Sequence, residues 1–180
     1  MHQRRSRQDE AEMETGGVRK PGVPASAVAD LGAQIAIACN ALPPGPAVEQ
    51  LRNFCGRIWE LLHTPSYAAL ERQWLTEVPH HADLARFYAE HVYGTIHTML
   101  AGIIERGIAA GELRPVDARA AARVILSALV TQAFWCNHPV AFGPAVAGGC
   151  HRAVADTLSL VLGGLLPAAP DATSLTAGRS

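Results

Sequence analysis

The stretch that decides the fold is Ile104-Glu105-Arg106-Gly107-Ile108-Ala109-Ala110-Gly111-Glu112-Leu113-Arg114-Pro115-Val116-Asp117. Its first half closes a long helical pattern. Gly111 supplies the stop, since a glycine just past the last periodic residue is the usual end of a helix. Glu112 to Pro115 make a short extended link. Asp117 then offers a carboxylate to cap a new helix. A helix, a tight turn and a second helix are therefore written into fourteen consecutive residues.

Upstream, apolar residues recur at three and four positions over about 80–110. They are Leu84, Phe87-Tyr88, His91-Val92, Ile96, Met99-Leu100, Ile103-Ile104 and Ile108. The spacing predicts one helix about 45 Å long at 1.5 Å per residue. Gly94, Gly102 and Gly107 lie inside it, and close helix contact is the simpler reason for them. Earlier still, Ser26 can cap a helix to about Ala41, and Pro43-Pro44-Gly45-Pro46 ends it. A helix over about 47–63 carries Val48, Leu51, Phe54-Cys55, Ile58-Trp59 and Leu62 on one face. Pro65 suits the first turn of the next, which presents Tyr67, Leu70, Trp74 and Val78 before Pro79. Downstream, helices are predicted over about 117–136 and 146–166, separated by a Gly/Pro-rich loop. The fold class is all-α: a bundle of about six helices and no convincing strand.

The bundle spans residues 25–167. Residues 1–24 and 168–180 lack apolar periodicity and are expected to be disordered tails. The chain of 180 residues has a formal net charge of −1, which excludes a generally basic nucleic-acid binder. No stretch suits a membrane span, and the start lacks the apolar core of a secretion signal, so a cytoplasmic protein is expected.

The last two helices are apolar on more than one face. Leu126, Val130 and Phe134 on the first, and Val154, Leu158, Val161, Leu162 and Leu165 on the second, point to a helical hairpin that meets a second copy of the chain. A core helix covered by its own chain is the plainer alternative.

Catalytic patterns are missing: no Walker loop, no G-x-S-x-G elbow and no H-E-x-x-H. Glu77-Val78-Pro79-His80 has the letters of a di-iron motif, but Pro79 breaks the helix that motif requires. Cys136, His138, Cys150 and His151 could in principle hold zinc. Adjacent Cys150-His151 and a C-x-H spacing argue against it. The four cysteines (39, 55, 136 and 150) are read as buried thiols in a reducing compartment, with no metal and no cofactor. Aromatic residues gather in the middle helices. Trp59, Tyr67, Trp74, Tyr88 and Trp135, with His91, Thr95 and Gln132, could line an apolar pocket with a few orienting groups. Plain core packing accounts for the same residues equally well.

The stretch 104–117, with Phe87-Tyr88 before it and Ala120-Ala121 after it, resembles the C-terminal regulatory domain of TetR/AcrR-type transcriptional regulators. The likeness covers about residues 28–166. It implies a homodimer held by the last two main helices and a small, apolar effector bound among the middle ones. It implies no enzymatic activity. In that family the effector alters the spacing of two helix-turn-helix heads on DNA. Residues 1–27 contain no such head, so the operator-contacting residues map onto no position, and DNA binding is not expected of this chain alone. A headless protein that binds a small molecule, or that heterodimerises with an intact regulator, is the alternative. An all-α enzyme built on His91 or His97 is a third, with no legible acid–base pair.

Overall fold

The computed structural model describes residues 25–77, 80–146 and 149–167. The two expected tails lie outside the described residues. Helix α1 spans Ala25–Asn40, α2 Ala47–Leu62, α3 Pro65–Glu77 and α4 Ala82–Tyr88. A π-helical turn, Ala89–Tyr93, joins α4 to α5 (Gly94–Ala109). Then come α6 (Ala118–Asn137), a single turn α7 (Pro139–Phe142), a 3-10 turn (Gly143–Val146) and α8 (Cys150–Gly163). No strand occurs among the described residues, and none of the helices is long and apolar enough to cross a membrane.

Helix α2 forms because its apolar residues fall on one stripe. Leu51, Phe54, Cys55, Ile58, Trp59 and Leu62 are all buried, each large side chain stabilising by roughly 1.5–3 kcal/mol relative to exposure. Burial also pushes the Cys55 thiol up to about 12, so this cysteine stays an unreactive neutral thiol. The stripe lies against α5 and α6, and α5 packs most extensively on α6.

The turn after α5 joins three elements. Gly111 takes a left-handed φ of 74°, a conformation costly to residues with a Cβ. The Gly111 and Glu112 amides donate to the Ile108 and Gly107 carbonyls at 3.0 and 2.9 Å, closing the helix end in a Schellman arrangement. The Ala47 amide, at the start of α2, donates to the Glu112 carboxylate. A carboxylate is favourable there because the first amides of a helix lack partners. Leu113 is buried. The Arg114 amide donates to the Leu165 carbonyl at 3.0 Å, just beyond α8. Asp117 then caps α6 by accepting from the Arg119 and Ala120 amides at 2.9 and 3.0 Å. Those bonds, the one to Ala120 first, hold its carboxyl below the usual range.

Five sequence expectations need correction. The long helix is interrupted by the π turn, and the last helix starts at Cys150 rather than 146. Of the three glycines in the long helical stretch, Gly107 alone sits tightly against another helix, where a Cβ would lie 2.5 Å from Ala47 Cβ; a Cβ on Gly94 would meet the Ala89 carbonyl of its own segment at 3.1 Å. Leu126 and Leu162 are wholly buried within the protomer, and Val154 and Leu165 nearly so, so these four belong to the core and not to an outer face. The cause is the central position of α6, which contacts α2, α5 and α8 at once. Finally, Cys136 and Cys150 are not thiols but a disulfide, with Cα atoms 5.9 Å apart. The loop between α6 and α8 folds back on itself and brings together two ends that sequence spacing leaves far apart. Cys39's side chain lies outside the described residues.

Candidate functional site

A cavity of ≈ 420 Å³ opens between α3, the α4–π-turn segment and α6. Each wall is one helical face. From α3 come Tyr67, Leu70, Glu71, Trp74 and Leu75, and from α6 Ser127, Val130, Thr131 and Phe134, both sets spaced by three and four residues. Tyr88 and Tyr93 complete the lining. A smaller space of ≈ 20 Å³ lies deeper, walled by Leu31, Ile35, Ile58 and Leu126 and sharing Tyr67, Tyr88, Tyr93 and Val130 with the main cavity. The volume of the main cavity fits a small organic molecule.

The polar groups are few and ordered. The Tyr67 and Tyr88 hydroxyls are hydrogen-bonded to each other, and burial, ahead of Tyr88 and nearby Glu71, raises the Tyr67 pKa. Tyr88 is likewise raised, mainly by burial. Both are therefore neutral hydrogen-bonding phenols in the folded protein at ordinary pH. The Trp74 and Tyr88 rings lie 4.0 Å apart. Glu71 is the buried charged residue of the core, 8% exposed. Asn137 Nδ2 donates to its Oε2 at 3.0 Å, and His138 Nε2 stands 3.7 Å away. Glu71 thus places a carboxylate among the otherwise uncharged residues of the lining.

Of the eight residues proposed for the pocket, Tyr67, Trp74 and Tyr88 line this cavity. The other five lie elsewhere. Trp59 is buried against His63, ring centroids 4.3 Å apart. His91 is exposed, stacked on Phe87 with its Nδ1 3.0 Å from the Phe87 carbonyl. Thr95 donates to the His91 carbonyl, Gln132 to the Thr157 hydroxyl, and Trp135 stacks on Phe142. Conversely, Val130 and Phe134, expected at a dimer seam, face the cavity. Glu71, Ser127 and Thr131 escaped sequence reading. The signal that finds them is their three–four spacing with Tyr67, Trp74, Val130 and Phe134.

The outward surface is separate. Val124 on α6 is 57% exposed, Leu160 on α8 79% and Leu166 46%. Leu158 and Val161 are half-buried. His97, one of the candidate core histidines, has Nε2 3.0 Å from the Arg119 carbonyl.

At the last turn of α6, Cys136 and Cys150 meet His63, the residue that closes α2. The two sulfurs and a ring nitrogen of His63 lie within 4.8 Å of one another. His138 and His151, weighed as zinc ligands from sequence, are not part of this group. His138 instead faces Glu71, and the His151 ring is 6.2 Å from that of His63. Burial, then the charge of His151, lowers the His63 pKa.

No curated protein matches the chain. Residues 49–147 match the sequence model of a family described as the AefR-like transcriptional repressor, C-terminal domain. The matched span covers more than half of the chain and contains the three helical walls of the main cavity.

Proposed function

We propose, from the premise that this chain belongs to the AefR-like family of TetR-type repressor C-terminal domains, that the cavity between α3 and α6 is where a regulator senses its effector. Membership makes the chain the effector-binding part of a regulator. The observation that carries the site assignment is the ≈ 420 Å³ space walled by Tyr67, Trp74, Tyr88, Val130 and Phe134. Its chemistry selects a largely apolar, ring-bearing molecule. A donor group on that molecule, an N–H or a protonated amine, would meet Glu71, while the neutral phenols of Tyr67 and Tyr88 orient its other polar atoms.

In the same reading two copies associate through the outward sides of α6 and α8. Val124 and Leu160 expose large apolar side chains there, and covering them offsets part of the cost of association. Effector binding inside α6 and association outside it then share one helix, which is the physical route for coupling them.

The test uses an environment-sensitive naphthalene dye as an apolar probe of the cavity. The wild-type chain should bind it with enhanced emission and with quenching of Trp74. Val130→Trp, which fills the space, should lose that binding at least about tenfold with its helical circular dichroism unchanged. Equal dye binding by the folded variant would remove the cavity from the assignment. Trp74→Phe should reduce the quenching, and undiminished quenching would count against it equally.

A further inference from the structure

The geometry points to a second, reducible site at the C-terminal end of α6: we propose that Cys136, Cys150 and His63, once the disulfide is opened, bind a thiophilic divalent cation of the zinc class. The residues come from three elements, the last turn of α6, the first residue of α8 and the C-cap of α2. Their donor atoms already lie within 4.8 Å of one another. A tetrahedral zinc ion with Zn–S of about 2.3 Å and Zn–N of about 2.0 Å sets its ligands about 3.5–3.8 Å apart. Small side-chain rotations therefore suffice, without movement of a helix.

His63 is the telling member. Its Nδ1 is buried and has no hydrogen-bond partner, although a buried ring nitrogen normally finds one. Its ring is held against Trp59, centroids 4.3 Å apart, and one of its nitrogens lies within 4.8 Å of both sulfurs. The anchoring is shared: Asn137, next to Cys136, donates to the Leu62 carbonyl, next to His63. Two soft sulfurs and an imidazole are the donor set that zinc prefers over calcium or magnesium. Three protein ligands leave a fourth position for water or for His151, whose ring lies 6.2 Å from that of His63.

The chemistry balances in two steps. A dithiol reductant donates two electrons and two protons to the S–S bond, giving two thiols and leaving as its own disulfide. The cation then displaces the two thiol protons, forming two S–metal bonds and one N–metal bond. Oxidation and metal occupancy thus exclude each other at one place.

The experiment uses the full chain, reduced with a phosphine that binds metal weakly, and Co²⁺ as a spectroscopic stand-in for Zn²⁺. The reduced, folded wild type should develop a thiolate-to-cobalt charge-transfer band and the visible bands of a tetrahedral ion, bleached by equimolar Zn²⁺. The oxidised chain should show neither. Cys55→Ser should keep the bands, Cys136→Ser should lose them, and His63→Ala should weaken Co²⁺ binding about 10- to 100-fold. The proposal is overturned if the reduced wild type, folded by circular dichroism, gives no bands. Bands in the oxidised chain or in Cys136→Ser, or unaltered affinity in His63→Ala, overturn it as well. The dye measurement at the α3–α6 cavity is unaffected by any of these outcomes.

Discussion

Gly107→Ala is the sharpest probe of how the bundle is joined. On helix propensity alone the change should stabilise, by up to about 1 kcal/mol. The structure predicts the reverse. An added Cβ would stand 2.5 Å from Ala47 Cβ and 2.7 and 2.9 Å from Leu113 Cδ1 and Cγ. Carbon atoms in contact settle about 3.5–4.0 Å apart. Leu113 can change rotamer at some cost, but Ala47 Cβ is fixed to the first turn of α2, so backbone must move. Overpacking of this kind costs roughly 1–3 kcal/mol. It also disturbs the Gly107 carbonyl, which accepts from the Glu112 and Leu113 amides. A net loss of about 1–2 kcal/mol remains after the propensity gain, or about 2–8 °C in Tm for a chain of this size. Thermal unfolding followed by circular dichroism measures it. Gly102→Ala is the control, because its nearest neighbour is the flexible Arg106 end at 3.5 Å. That variant should melt at or above the wild-type temperature. A Gly107→Ala protein as stable as wild type would refute the claimed contact between α5 and α2.

Three further outcomes are expected. Burial raises the pKa of Tyr67 and Tyr88, so the folded state keeps protons that the unfolded chain releases above about pH 10. Their contribution to stability is complete below that pH and falls as pH rises beyond it; denaturant titrations at pH 9 and 11 should show the decline, and a flat profile would contradict it. Opening the Cys136–Cys150 bond, which spans a sequence separation of 14, should cost about 3 kcal/mol when measured in excess chelator; an unchanged Tm under reduction would show that the bond constrains nothing. Leu160→Glu places a charge on the most exposed leucine of α8 and should weaken self-association at least about tenfold by light scattering, whereas an unaltered dimer would move the interface elsewhere.

Local features were legible in the sequence because they depend on local physics. The stripe Leu51, Phe54, Cys55, Ile58, Trp59 and Leu62 announces its buried face by spacing alone. Gly111 and Asp117 announce a stop and a start by conformational preference and capping chemistry. The site was less legible because residue type does not separate core from cavity. Trp59 and Trp74 are alike in sequence, yet one closes on His63 and the other on open space, a difference made by neighbours far along the chain. Val130 and Phe134 showed as a second apolar face, and only the placement of α3 turns that face inward. The joining of Cys136 and Cys150 beside His63 needs the loop to double back and α2 to end at that point. No local pattern encodes either event.

The π turn at Ala89–Tyr93 bears on the cavity in a way its side chains do not reveal. Successive residues of an α-helix advance by about 100°, so positions five apart, such as Tyr88 and Tyr93, would diverge by about 140° on a regular helix. Here both look into the same space, because the wider turn absorbs one residue without advancing the rotation. The roof of the chamber is thus set by arithmetic. Removing one residue between the two tyrosines would leave them four apart on a regular helix, about 40° from each other and still aligned, whereas adding one would swing one of them away.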